Sequence, residues 1–364
     1  MTNRVIELIS KSQHSFSELV ELLSVSSAEE TRLILDRGLY IKASNPGRKV
    51  YLRGLIELSN VCAKNCYYCG IRGSNKHVER YTLSDEEVFH AADFAWKNGF
   101  GSLVIQTGER QSVAFTKLIA RLLKEIHQRT HNELTITLSC GEQTLDTYRL
   151  WREAGAERYL LRIETTNEAL FYKIHPRNKH HNFQLRIKAL ADLKEAGYQV
   201  GTGVMIGLPQ QTIQDLANDL LYFRSLDIDM VGMGPYIEHA ETPLFDQLAC
   251  LWPANERFRI GLLMIALLRI NMPWINIAAS TALETLDPQG RQKGLLAGAN
   301  VVMPNLTPVV NRKQYLLYDN KPNLEKDASL STVSLNESIA SIGETISYHL
   351  PGDSIHFLKR TGQE

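Results

Sequence analysis

From residue 50 onward one unit recurs: a short apolar run, a few turn residues, then an amphipathic stretch of helical period. The apolar runs are 51–58, 102–107, 134–139, 158–163, 199–206, 229–234, 274–279 and 299–303. Helical stretches fill the gaps at 84–98, 113–129, 144–154, 183–196, 212–225, 255–271 and 285–297. Strands separated by helices need crossover connections, and crossovers make neighbouring strands parallel. Eight such strands predict a complete (β/α)8 TIM-type barrel, with an open doubly wound sheet as the alternative. Ser84 before Asp85 and Glu86, and Gly99, Gly155 and Gly197 after periodic stretches, mark helix ends.

The barrel unit is expected over residues 50–318, with extensions on both sides. Residues 1–49 predict an N-terminal helical extension. It holds two short helices within 3–24 and a third capped at Ser26 or Ser27 and running to Tyr40. Asn45-Pro46-Gly47 breaks it from the barrel, beneath which it is expected to pack. After Tyr318 the pattern fades, and 319–364 reads as a C-terminal tail: loop, a weak helix over 334–348, then an irregular end.

Lysine plus arginine equals aspartate plus glutamate at 40 each, so nothing marks the chain for nucleic acid or an anionic membrane. The longest apolar run, Leu262–Ile270, is interrupted at Arg269 and is too short to span a bilayer. The first residues carry no apolar signal-peptide region, so a cytoplasmic location is expected.

Three of the five cysteines, Cys62, Cys66 and Cys69, follow the first strand in a Cys-x3-Cys-x2-Cys loop, with Tyr68 before the last. A tight cysteine group in a reducing compartment binds metal or is catalytic. Isolated Cys140 and Cys250 read as small semi-buried residues. A closed zinc site would need a fourth ligand, for which His77 is the candidate. A 4Fe–4S cluster on three thiolates instead leaves one iron open, able to chelate the amino and carboxylate groups of S-adenosylmethionine (SAM).

Barrel chemistry belongs at the C-terminal ends of the strands. Glu109, after Gly108 at the end of the second strand, is placed to receive an ammonium group, or is an ordinary helix-start carboxylate. In the fourth strand Arg158, Leu160, Arg162 and Glu164 share one face, and Tyr159, Leu161 and Ile163 the other. Two arginines and a glutamate then point inward. They are either a structural ion pair or contacts to ligands: Arg162 and Glu164 to a charged cofactor, Arg158 to an anionic substrate group. Glycines recur through 201–207, as where a ligand or backbone approaches a strand closely. Thr137 and Ser139 share a face of the third strand. Ser280, Thr281, Tyr315 and Tyr318 are candidates to close the top.

The Cys-x3-Cys-x-aromatic-Cys loop resembles that of radical SAM enzymes. Longer strings are similar to the E-type maturase family of FeFe-hydrogenase: Ile56–Cys62, Arg158–Thr165, Gly207–Ile213, Asp229–Pro235 and Asn300–Asn305, across roughly residues 50 to 318. That family stands close to biotin synthase and methylornithine synthase. The resemblance implies a complete barrel, one 4Fe–4S cluster on Cys62, Cys66 and Cys69, and SAM surrounded by Tyr68, Gln106, Glu109, Ser139, Arg162, Glu164, Arg186 and Met205. It implies that Arg158, Thr281 and Tyr315 face the substrate. It further implies a small-molecule or iron-complex substrate, other hydrogenase maturases and an electron donor as partners, and a role in assembling the diiron subcluster. Some members carry further C-terminal cysteines for a second cluster; residues 319–364 hold none. Ile163 stands where the family often has histidine. The competing readings are a radical SAM amino-acid mutase or sulfur-insertion enzyme, and a non-catalytic iron–sulfur scaffold.

Overall fold

The computed structural model describes residues 2–325 and 327–363. Eight parallel strands form a curled sheet: β1 Lys49–Ser59, β2 Ser102–Thr107, β3 Thr135–Ser139, β4 Ala156–Leu160, β5 Gln199–Thr202, β6 Met230–Val231, β7 Asn276–Ile277 and β8 Val301–Val302. They lie in the order 8-1-2-3-4-5-6-7. Beyond β7, Ala278 bridges in parallel to Val301 of β8, and the Ala279 N–H donates to the Val301 carbonyl at 2.9 Å. All eight apolar runs are therefore strands, though several are shorter than their pattern. The runs 199–206 and 229–234 are each broken, at Gly203 and Gly232, and resume as a paired extension, Met205–Ile206 with Gly234–Pro235. A Cβ on Gly203 would stand 1.9 Å from the Gly232 carbonyl oxygen, so the two breaks need each other.

Local chemistry sets the helix limits. Ser84 and Glu87 form a reciprocal capping box that starts the helix Asp85–Lys97, and Thr212 with Asp215 does the same for Ile213–Ser225. The stretch 285–297 divides into Thr281–Leu286 and Gly290–Leu296, because Pro288 cannot supply an N–H and disfavours helix before it. Within residues 50–318 three elements were not expected: helices at Glu168–Ile174 and Val309–Arg312 and a 3-10 turn at Pro243–Cys250. Cys250 is exposed on that turn, whereas Cys140 is buried in the core.

The N-terminal extension forms the expected helices, Thr2–Ser10, Phe16–Leu23 and Ala28–Ser44, the last capped by Ser27. It does not lie beneath the strands. It packs on the outer helices, where Gly38 meets Ala266 and the Ala297 carbonyl too closely to accept a side chain. The buried Asn271 amide oxygen accepts the His14 N–H at 2.9 Å.

The C-terminal segment is not a loose tail. It forms a helix at Ala328–Ala340, a strand at Thr345–Ile346 paired with the start of β1, and a helix at Ile355–Thr361. Between the last two, residues 351–353 cross the N-terminal mouth of the sheet. Arg53 and Asn276 donate to the Gly352 carbonyl at 3.3 and 2.9 Å, and Gln199 donates to Asp353 at 2.5 Å. Arg158 is corrected here. It does point inward, but it is fully buried at this floor, ion-paired to Asp353 at 2.5 Å and donating to the Pro351 carbonyl at 2.7 Å. Asp353 and Pro351 engage its Nη2, while its Nε and Nη1 are buried with no hydrogen-bond partner among the described residues, and it lies four residues below Arg162 along the chain. Among the described residues no helix is long and apolar enough to cross a membrane.

Candidate active site

At the opposite end of the sheet, β1 delivers the chain into the cysteine loop. The buried Asn60 amide donates to the Glu79 and Gln314 carbonyls at 2.8 and 2.7 Å and accepts the Tyr81 N–H at 2.8 Å. Arg80 donates to the carbonyls of Asn60, Ile71, Arg72 and Asn75 at 2.7–3.0 Å, holding the loop from inside. Gly108 lets β2 meet the loop: a Cβ there would lie 2.5 Å from the Val61 carbonyl oxygen and 2.8 Å from the Cys62 Cβ. The Ala63 N–H then donates to the Glu109 carbonyl at 2.8 Å, and the Glu109 N–H donates to Cys62 Sγ at 3.3 Å.

Burial raises the pKa of all three thiols, and neighbouring cysteines add to it for two of them. Cys66 is pushed up to about 12 by burial and then by Cys62; Cys69 is raised by burial, Cys66 and Cys62. Three thiolates within reach of each other's charge are unstable without cations among them. Among the described residues, no three His, Cys, Asp or Glu side chains gather closely enough to hold a single metal ion. Three thiol donors match a 4Fe–4S cluster with one iron open, whereas a closed zinc site takes four ligands. His77, the candidate fourth zinc ligand, is exposed and turned to Glu241 at 2.9 Å. The thiols thus fit an iron–sulfur cluster carried on Cys62, Cys66 and Cys69.

A buried charged collar surrounds the loop. Lys64, between the first two cysteines, pairs with Glu109 at 3.1 Å and Glu142 at 2.7 Å and donates to the His180 carbonyl. Glu142 also pairs with Arg186, which donates to the Arg162 carbonyl. Arg162 meets Glu164 at 3.0 Å and donates to the Val204 carbonyl at 2.9 Å. Burial raises the Glu164 carboxyl pKa, while Arg162 and Arg186 oppose it. Glu164 also adopts φ 69°, a left-handed conformation costly for a non-glycine residue and characteristic of functional positions. Gly141 (φ 72°) presses on Glu109, whose carboxylate would lie 2.3 Å from a Cβ there.

Two histidines complete this side. His181 Nε2 accepts the Asn65 N–H at 3.0 Å and lies 3.8 Å from Cys66 Sγ, so its Nδ1–H donates to Asn178 at 3.0 Å. His175 Nδ1–H donates to the Phe171 carbonyl at 2.9 Å, leaving Nε2 to accept the Tyr68 hydroxyl at 3.2 Å. Tyr68 and Met205 belong to one apolar cluster with Leu170, Ile174, Leu208 and Tyr236.

The residues expected around a cofactor are largely brought together. Gln106 and Ser139 are register partners at the ends of β2 and β3, both half-buried where their neighbours are buried. Glu109 and Arg186 reach the site, with their charges engaged by Lys64 and Glu142. Thr281 and Tyr315 stand on another side: the Thr281 and Tyr318 hydroxyls are 2.7 Å apart, and Tyr315 is buried under Lys321. Not foreseen were Lys64, Glu142, His175, His181, Glu57 and Lys321. Glu57 was within reach of the alternation used for β4, since Arg53, Leu55 and Glu57 share one face of β1. Lys64 and Glu142 have no periodic signal; only the folded loop brings them together.

A family model described as the radical SAM superfamily matches residues 56–223. The chain is 41% identical over 325 residues to the FeFe hydrogenase maturase subunit HydE of Thermotoga maritima, covering 88% of this chain and 89% of that one. It is 28% identical over 308 residues to 3-methylornithine synthase of Methanosarcina acetivorans, covering 81% of each. Among solved structures, methylornithine synthase (PylB) superposes with a TM-score of 0.78 at 24% identity, covering 95% of this chain and 98% of that chain. HydG, a maturase of the FeFe-hydrogenase, superposes with a TM-score of 0.80 at 18% identity, covering 100% and 81%. At these identities the two superpositions establish the fold.

Proposed function

This chain belongs to the radical SAM superfamily and, within it, to the family of the HydE maturases, and on that premise we propose that it cleaves SAM reductively in assembly of the FeFe-hydrogenase diiron subcluster. The observation that carries this is the three-thiol loop enclosed by a buried collar of paired charges. When bound, a 4Fe–4S cluster with an open iron supplies the electron that breaks the sulfonium carbon–sulfur bond. Cys62, Cys66 and Cys69 hold that one cluster. Lys64 and the His181 imidazole fix the loop that carries it. Arg162 and Glu164 offer a cation and a carboxylate to the zwitterionic end of SAM, with Tyr68, Gln106, Ser139 and Met205 bounding the pocket. Glu109 and Arg186 set the charge around it through Lys64 and Glu142. Thr281 and Tyr315 face the second substrate, a small molecule or iron complex.

The bridge from Ala278 to Val301, the Ala279 N–H donating to the Val301 carbonyl and the Asn300 N–H donating to the Ile277 carbonyl, both at 2.9 Å, support closure of the sheet into a complete (β/α)8 barrel over residues 50–318, with 1–49 and 319–364 as extensions. An electron donor and the other hydrogenase maturases are the partners this role requires, and the cytoplasm is its place. The test is anaerobic maturation in vitro. Apo-hydrogenase, the other maturases and this protein reconstituted with iron and sulfide should yield active hydrogenase, and omission of this protein should not. Equal hydrogenase activity with and without it would reject the maturase role. Turnover of lysine instead would move the chain to the methylornithine synthase reading.

A further inference from the structure

Residues 140–143, between β3 and the helix Leu145–Glu153, belong to no regular element, yet they carry the carboxylate that joins two sides of the site. One Glu142 oxygen pairs with Lys64 in the cysteine loop at 2.7 Å, and the other pairs with Arg186 on the helix Phe183–Glu195. Lys64 is shared with Glu109 at 3.1 Å, so the place of Glu142 decides how much of the Lys64 charge falls on Glu109. A carboxylate carried on a loop is placed this closely only when the loop itself is held.

The hold comes from the helical core. Tyr159, on β4, donates its hydroxyl to the Gly141 carbonyl at 2.7 Å. The Tyr148 hydroxyl accepts the Gln143 N–H at 2.9 Å and lies 3.5 Å from the Gly141 carbonyl. Two phenols from different elements thus grip the backbone on either side of Glu142. Both rings are fully buried and meet edge to face, 5.1 Å apart, in an aromatic block with Trp151 and Tyr198. Phenylalanine would fill the same space without the cost of burying a hydroxyl, so the two hydroxyls mark a polar task at the ring tips. The Glu142 N–H in turn donates to the Glu109 carboxylate at 3.0 Å, which ties the gripped backbone to the second partner of Lys64.

We propose that Tyr148 and Tyr159 are positioning residues for SAM binding that act through Glu142. They fix residues 141–143 so that Glu142 shares Lys64 with Glu109 and clamps Arg186. Both phenols lie in the helical core, and their effect reaches the site only along this chain of contacts. With the grip loosened, Lys64 settles on Glu109, and the charge that SAM meets beside the cysteine loop changes. The inference rests on the reading that SAM binds at that loop.

The experiment uses the anaerobically reconstituted holoenzyme, reduced with dithionite and frozen directly after SAM is added. SAM binding is read from the change it makes in the EPR spectrum of the reduced cluster. Tyr159→Phe and Tyr148→Phe should each keep the wild-type iron content and raise the SAM dissociation constant by about three- to tenfold, the range of one lost hydrogen bond. Tyr198→Phe removes a hydroxyl from the same aromatic block. That hydroxyl donates to the Tyr148 carbonyl at 2.8 Å and bonds none of residues 140–143, so this variant should bind SAM like wild type. In a Glu142→Gln background the Tyr148 and Tyr159 substitutions should add no further loss. Wild-type affinity in both tyrosine variants, equal weakening in Tyr198→Phe, or a full further loss in the Glu142→Gln background overturns the proposal. If Glu142→Gln does not hold a cluster, the comparison of Tyr159→Phe with Tyr198→Phe decides alone. A wild-type spectrum that SAM leaves unchanged refutes SAM binding at the loop instead.

Discussion

Asp219 shows how a residue remote from the chemistry holds the site. It has no exposed surface, and its Oδ1 accepts the Thr166 N–H and hydroxyl at 2.8 and 2.6 Å, two residues past Glu164. Burial is the main cause that lifts its pKa from 3.8 to about 7, against the two Thr166 hydrogen bonds. The folded protein therefore keeps this proton at pH values where the unfolded chain has lost it. Stability should fall as pH rises from about 4 to about 7, and stay lowered above that, by at most about 4 kcal/mol. Asp219→Asn should remove this slope, measured as urea-unfolding free energy against pH; an unchanged slope would mean another group carries it. Nothing in the sequence marks Asp219, because a polar residue in an amphipathic helix reads as surface. Arg162 and Glu164 were legible for the opposite reason: strand alternation leaves an inward charge no bland position.

At the scale of elements, β4 joins two ends of the molecule. The outward face of β4 and of the extended residues that continue it, Tyr159, Leu161 and Ile163, is buried in the helical core, as alternation requires. Its inward face carries Arg162 at the site and Arg158 at the floor. Alternation gives the face of a side chain but not its height in the curled sheet, and only the 351–353 crossing decides that Arg158 is structural. Asp353 faces two buried guanidiniums: it pairs with Arg158, and its charge raises the pKa of Arg53, which burial and then Arg158 lower. Asp353→Ala should destabilise by about 3–5 kcal/mol, the usual result of stranding a buried charge. Replacing the pair together, Arg158→Met with Asp353→Leu, should recover most of that loss. Thermal and chemical unfolding of the two proteins decides it: equal destabilisation would mean that the crossing is held by its backbone contacts alone. That crossing was invisible in sequence because residues 344–354 have neither helical nor long strand periodicity, and the partners of residues 351–354 lie 76 or more positions away.

For the whole molecule, the eightfold alternation of apolar run and helix was enough to give the parallel sheet and its strand order. Long, strongly periodic segments survive tertiary packing, and the helix Val113–Arg129 lies at its expected limits. Short strands and the packing of the extensions depended on contacts that no local pattern encodes, such as Gly203 against Gly232. The cysteine loop was legible as chemistry because its count of three contrasts with the four ligands of a closed site. The ion-pair chain around it was not, because Lys64, Glu109, Glu142 and Arg186 come from four separate segments that only the fold brings together.

The central claim is that three thiolates, and no fourth, hold the cluster that cleaves SAM. The measurement is 5′-deoxyadenosine formed from SAM under dithionite by the anaerobically reconstituted protein and its five single Cys→Ala variants. Cys62→Ala, Cys66→Ala and Cys69→Ala should each abolish it, while Cys140→Ala and Cys250→Ala retain it with wild-type iron content. Loss of cluster and cleavage in the Cys140 or Cys250 variant, or cleavage that survives loss of Cys62, Cys66 or Cys69, would contradict the account.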